Sequence, residues 1–337
     1  MSLGILKVAA GLAVAGGVVF AINVFEYPPV DSIQRGYRGV GMVEVYHPAT
    51  VAKLATANQV PAPEDKIDAS GQPSSEVYQN VQVLKDLDSN EFLRLMSAVT
   101  NWVAPEQGCN YCHTDDPAAD TLYTKVVARR MFQMVKTING NWGQHVGKTG
   151  VTCYTCHRGQ PVPSNIWFAD PTIGETHGMA QASIGKNAPA SAIGVSSLPS
   201  DVFTPFLEQA GDIRIASTTA LPSGDMHSIK QTEWTYGLMM HISQSLGVNC
   251  TYCHNSRSFS DWDQSTPQRA TAWYGIRMVR TLNTEYLDPL TSVFPHSRLG
   301  PGGDGPKVNC ATCHAGVYKP LFGVSMLPDY PELAGKP

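Results

Sequence analysis

The chain has eight cysteines, and all of them fall into four C-x-x-C pairs at 109/112, 153/156, 250/253 and 310/313. Each pair is followed at once by a histidine, giving CNYCH, CYTCH, CTYCH and CATCH. A disulfide scaffold makes no demand on the residue after a pair. A thioredoxin-like dithiol occurs once, beside a βαβ pattern. Zinc takes four cysteines, or three with a histidine, and is the serious rival, although it does not require His directly after the second Cys. C-x-x-C-H is the pattern of c-type haem attachment. The thiols of Cys109, Cys112, Cys153, Cys156, Cys250, Cys253, Cys310 and Cys313 would add to haem vinyl groups, and His113, His157, His254 and His314 would reach the irons from one side. The expectation is four covalently bound haem c groups.

At 337 residues the chain is long enough for one large domain or two smaller ones. Net charge is −4 and charged residues make up 15%, so the basic stripe of a nucleic-acid binder is missing. With 30 glycines and 24 prolines, much of the chain is expected to be irregular, and something besides secondary structure has to organise its interior.

The N-terminus has one Lys and then no charge from Val8 to Phe25, a stretch that spans about 27 Å as a helix and suffices for a bilayer core. A cleaved signal peptide has the same features, and AVA at 13–15 resembles a cleavage site. The apolar run continues past it, which favours a retained anchor. Lys7 on one flank and Glu26 on the other place the N-terminus inside and the bulk of the chain in an exported compartment, where c-type haem is attached.

An internal repeat divides the remainder. MVKTIN at 134–139 recurs as MVRTLN at 278–283, CYTCHRGQPVP as CATCHAGVYKP, and CNYCH as CTYCH. The segments expected are an anchor (1–26), an N-terminal docking segment (27–85), a first two-haem unit (86–163), a connection (164–231), a second two-haem unit (232–320) and a tail (321–337). The Ala/Ser/Gly/Pro-rich stretch 174–201 reads as a long linker. The fold class is mainly α with much irregular structure, built as two pseudo-symmetric units behind a transmembrane helix.

Helices are predicted just before the motifs. Asp88 stands as N-cap with Glu91 three residues on, a capping-box pattern, and Phe92, Met96, Val99 and Val103 follow at helical spacing before Pro105. Val127, Met131, Met134 and Ile138 share a face of a second helix that Gly140 would stop. TEWTYGLMMHISQSLG and QRATAWYGIRMVRTLN are the counterparts, and GMVEVYH at 41–47 is a weak strand candidate.

Each iron needs, or leaves open, a sixth ligand. The non-motif histidines are 47, 145, 177, 227, 241 and 296. Met96, Met131 and either Met239 or Met240 lie on helices leading into the motifs, where the bland reading is core filler. The repeat pairs Met96 with Met239 and Met134 with Met278, so Gly275 stands where the second unit would need the counterpart of Met131. Arg129, Arg130, Arg269, Arg277 and Arg280 lie near these helices and are either partners for haem propionates or solvated faces.

VVARRM, TGVTCYTCHRG, STPQRA and PLFG…DYPEL resemble the tetrahaem cytochrome subunit of purple-bacterial photosynthetic reaction centres, over residues 36–334. The resemblance implies His/Met ligation by Met96, Met131 and Met239 at the first three haems, and His145 reaching across to the fourth. It implies an electron carrier rather than an enzyme, on the periplasmic face of the photosynthetic membrane. Its partners would be the L, M and H subunits, with the light-harvesting 1 antenna nearby. A soluble cytochrome c or high-potential iron–sulfur protein would be the donor and the photo-oxidised bacteriochlorophyll pair the acceptor. Many members of the family carry acyl chains on an N-terminal cysteine, whereas here no Cys precedes Cys109 and the apolar segment substitutes. The rival from another class is a membrane-anchored tetrahaem quinol dehydrogenase feeding periplasmic nitrate or nitrite reductase.

Overall fold

The computed structural model describes residues 3–24, 31–34, 43–171, 190–215 and 229–335. Helix α1 (Leu3–Val24) is apolar on every side and exposed along its length. Within it, Gly4–Val24 has a mean hydropathy of 2.2 and meets the length and composition of a membrane span. The helix begins five residues before the predicted start at Val8 and takes in Lys7. A long Lys side chain near a helix end can carry its charge back to the membrane surface, so one such residue does not stop the helix.

The only sheet among the described residues is an antiparallel pair, β1 (Asp31–Gln34) and β2 (Val43–Tyr46), in register Asp31↔Tyr46 to Gln34↔Val43. Of the strand expected at 41–47, Val43–Tyr46 is present, His47 instead caps the next helix, and residues 41–42 lie outside the described residues. Helix α2 (Pro48–Ala57) follows, and then a single turn, α3 (Ser74–Val77).

The segment from β2 through α2 runs as a belt past three of the four motifs. Glu44, buried on β2, accepts from the backbone N–H of Asn249, just before the third motif (2.9 Å). Leu54 on α2 lies against Gly316, just after the fourth; a Cβ there would stand 2.9 Å from Leu54 Cδ2. Beyond α2, the carbonyl of Gln59 accepts from the hydroxyl of Tyr154 inside the second motif (2.9 Å).

Helix α4 (Ser89–Val103) starts at Asp88, whose carboxylate accepts from the N–H groups of Asn90 and Glu91. The reciprocal arm of the expected capping box is replaced, because Glu91 instead pairs with Arg94 at 3.3 Å. Leu95, Ala98 and Trp102 form the buried face of α4. Trp102 meets Tyr330 edge-on at 4.7 Å, which ties the helix to the C-terminal tail. Helix α5 (Tyr123–Asn141) passes through Gly140 and ends one residue later, turning at Trp142 into the short α6 (Gly143–Val146). Gly140 costs helix stability without forcing a stop, since the turn at Trp142 ends the helix.

The second and fourth motifs are themselves one-turn helices, α7 (Cys153–His157) and α10 (Cys310–His314). Each has a capping box, Thr152 with Thr155 and Asn309 with Thr312, and each leaves through a left-handed residue, Arg158 or Ala315. The helix that carries Met96, α4, packs on α7. The helix that carries Met239, α8 (Ile229–Leu246), packs on α10. Helix α9 (Pro267–Thr281) continues into a wider π turn at Leu282–Leu287. Gly247, at φ +63, lets the end of α8 meet the fourth motif: a Cβ there would stand 2.3 Å from Gly316 O, and Gly316 N–H donates to Ser245 O.

The segment 190–215 builds core despite its linker-like composition. Ile193, Val202 and Leu207 are fully buried, and Phe203 packs edge-on to His241 at 4.6 Å. Aperiodic composition signals irregular backbone and does not by itself signal exposure.

Candidate haem sites

A cavity of about 1330 Å³ lies among α4, α5, α9 and the first, second and fourth motifs. Ligand pockets are commonly about 300–1,000 Å³, so there is room for more than one large flat group. The apolar stripes predicted from sequence face this cavity. Phe92, Met96, Val99 and Val103 line it from α4, and Val127, Met131, Met134 and Ile138 line it from α5. Both cysteines and the histidine of the first, second and fourth motifs open onto it, as does His145. The third motif contributes only Tyr252. Cys250, Cys253, His254 and Met239 lie apart from the cavity, and Met239 is half-buried against the core. Met240 turns the other way, with its methyl 3.3 Å from where a Cβ on Gly194 would be.

All four motif histidines are oriented alike. Nδ1 faces a backbone carbonyl: Pro117 O for His113 (3.2 Å), Gln160 O for His157 (2.9 Å), Phe259 O for His254 (2.8 Å) and Val317 O for His314 (3.0 Å). A carbonyl can only accept, so Nδ1 carries the proton and Nε2 keeps its lone pair for a metal. Burial lowers the pKa of His157 and His254, and it takes His314 to about 4. Burial also pushes the thiols of Cys153 and Cys310 up to about 12 and that of Cys253 to about 11.

His145 follows the same rule, with Nδ1 on Thr271 O at 2.9 Å. Helix α6 packs on α9, and the ring of His145 lies over Gly275, where a Cβ would come within 2.4 Å of it. Its centre is 6.1 Å from that of His314. An iron bonded to two imidazoles at about 2 Å each sets the ring centres roughly 6 Å apart, so the pair fits a bis-histidine haem.

His241 is also buried, but it does not line the cavity: its Nδ1 faces Ala192 O (3.1 Å) and its Nε2 faces Ser245 Oγ (3.2 Å). His47 caps α2, His296 is exposed, and His177 and His227 lie outside the described residues. Among the described residues, no three His, Cys, Asp or Glu side chains converge on a metal-sized site, so the Cys pairs do not close into zinc sites.

The arginines near the ligand helices are mostly engaged elsewhere. Arg130 stacks on Tyr286 and donates to the carbonyl of Glu285. Arg269 covers Trp262, Arg277 covers Trp273, and Arg280 holds Phe206 O. Arg129 alone of the five lines the cavity, and it forms a two-pronged pair with Asp120. Sequence reasoning missed Arg158, which spans the second and fourth motifs (Nη2 to Cys313 O, 3.0 Å). The available signal was a charged residue at the helix exit directly before Gly159, where glycine would normally take the left-handed position.

Residues 26–334 match the family described as the photosynthetic reaction centre cytochrome C subunit. The chain belongs to this family. It is 52% identical over 313 residues to the photosynthetic reaction center cytochrome c subunit of Rubrivivax gelatinosus, covering 93% of this chain and 86% of that one. It is 53% identical over 309 residues to that of Thermochromatium tepidum (91% and 76%) and 42% identical over 340 residues to that of Roseobacter denitrificans (96% and 91%). Membership brings covalently bound haem c and the role of an electron carrier. The quinol dehydrogenase reading finds no support in these relatives.

Proposed function

We propose that the protein is the electron-relay subunit of a photosynthetic reaction centre. It takes electrons one at a time from a soluble carrier and delivers them through four haem c groups to the photo-oxidised bacteriochlorophyll pair. The observation that carries this reading is one cavity edged by three C-x-x-C-H motifs whose histidines all present Nε2, in a chain of this family. Haem supplies reversible one-electron carriage at iron, and the protein tunes its potential through axial ligand, burial and nearby charge. Cys109 and Cys112, Cys153 and Cys156, Cys250 and Cys253, and Cys310 and Cys313 would anchor the four groups. His113, His157, His254 and His314 hold the proximal side, with their tautomer fixed by backbone carbonyls. Met96, Met131 and Met239 hold the far side of the first three and His145 that of the fourth. The halves 86–163 and 232–320 form pseudo-symmetric units, supported by the matching packing of α4 on α7 and α8 on α10.

Helix α1 anchors the subunit, with the haem domain on the periplasmic side against the L and M subunits. A soluble cytochrome c or high-potential iron–sulfur protein is the donor. The test is flash excitation of membranes containing the chain. Haem α-band bleaching should follow photo-oxidation of the pigment pair and recover when a soluble donor is added. Membranes whose pigment pair is re-reduced with no haem transient would refute the assignment.

A further inference from the structure

We propose that Arg158 is a positioning residue shared by two haem sites, its single guanidinium raising the reduction potentials of the haems at the second and fourth motifs together. The inference rests on the haem reading of those motifs.

Arg158 directly follows His157 and adopts φ 50, ψ 44. Ala315, its counterpart after the fourth motif, has the same backbone conformation and no charge. The left-handed turn carries the Arg158 side chain across to the other motif. Nε donates to Thr155 O (3.4 Å) within the second motif, and Nη2 donates to Cys313 O (3.0 Å) within the fourth. Nη1 is held by Ala57 O (3.1 Å) and Asn58 Oδ1 (2.9 Å), at the end of the N-terminal belt.

All four acceptors are neutral oxygens, and among the described residues no carboxylate pairs with this guanidinium. Arg129 shows the contrast, since Asp120 offsets its charge. Neutral acceptors fix a cation in place without cancelling its field. Arg158 is also half-buried, where charges are less screened than in water. Oxidation of an iron adds positive charge, so a fixed cation beside it opposes oxidation and raises the potential. The guanidinium touches both motifs directly, at Thr155 O on one side and Cys313 O on the other.

The test is a redox titration of the purified full-length protein, comparing wild type with Arg158→Gln and Arg158→Lys. In Arg158→Gln, the potentials of the haems at Cys153/Cys156 and Cys310/Cys313 should both fall while the other two hold. Arg158→Lys should restore most of the difference. The fourth haem is identified by the low-temperature EPR signal of a bis-histidine iron, and the second by its response to Met131→His in the same background. A fall at one haem only, an equal fall at all four, or no change overturns the inference. If Arg158→Gln fails to fold, Asn58→Ala serves, because it keeps the charge and frees one anchor. It should give a smaller fall at the same two haems, and unchanged potentials there also overturn the inference. Fewer than four covalent haems by mass in the wild-type protein would instead overturn the haem reading itself.

Discussion

The imidazole of His145 fills the space that a side chain at Gly275 would need, with Cε1 at 2.4 Å, Nδ1 at 2.7 Å and Nε2 at 3.0 Å from an ideal Cβ. Residue 275 is also the position at which the repeat calls for a counterpart of Met131. The Gly275→Ala substitution should therefore expel the ring, at an overpacking cost of about 1–3 kcal/mol. EPR should then show the bis-histidine signal of the fourth haem lost while the His/Met signals of the other three are unchanged. A retained bis-histidine signal would place the sixth ligand of that haem elsewhere.

Replacing His145 itself separates ligation from packing. His145→Met should raise one potential, because a thioether favours the reduced iron more than a second imidazole does. The haem affected should be the one at Cys310 and Cys313, although His145 is much nearer in sequence to Cys153. Site-resolved titration locating the change at Cys153 and Cys156 would refute the crossing.

Met131 and Met134 both line the cavity, yet they should behave differently. Met131→His should lower the second haem's potential. Met134→Leu should leave potentials in place and cost less than about 1.5 kcal/mol in a denaturant melt, as volume-conserving core swaps do. Titrations in which the two variants coincide would remove Met131 as a ligand.

The start of α4 gives a pH-dependent test. Hydrogen bonds from the Ser70 backbone, the Ser70 hydroxyl, and the backbone N–H groups of Asn90 and Gly71 take Asp88 from 3.8 down to about 2. A depressed carboxylate stabilises the fold fully above its unfolded value, and that stabilisation is lost as pH falls toward the folded one. Asp88→Ala should lower the thermal midpoint at pH 7, and its gap from wild type should close between pH 3.8 and about 2. Circular dichroism melts with a constant gap across that range would contradict the assignment.

Helix α1 should be separable from the rest. Away from other subunits, the full chain should require detergent, and a chain starting at residue 26 should stay monodisperse without it while keeping the same visible spectrum. Detergent dependence that survives the truncation would move the membrane contact to another surface.

The C-x-x-C-H motifs, the helices that precede them and the apolar N-terminal helix were legible because each rests on local spacing: a fixed motif, a 3.6-residue stripe, an uncharged run. The stripes on α4 and α5 were read correctly as faces, and the structure turns them toward the cavity, where Met134 and Ile138 also belong to the buried core. The missing methionine at Gly275 was also visible in the repeat, and the fold sets the His145 ring over that glycine. Long-range neighbours were not legible. Nothing near residue 44 announces Asn249, and nothing near residue 158 announces Cys313. The core residues of segment 190–215 escaped for a related reason, since irregular backbone has no period to betray its inward side.

The belt from Glu44 to Gln59 has a consequence for how the molecule is made. Glu44 and Asn249 are 205 residues apart, and Leu54 waits for Gly316, which comes later still. Contacts that close such long loops form late, because the loop entropy is spent before the contact repays it. A chain made from its N-terminal end thus carries an unclosed clasp until the last motif has been synthesised. Until then the belt cannot close over the third and fourth motifs, and the order of synthesis itself keeps the door open.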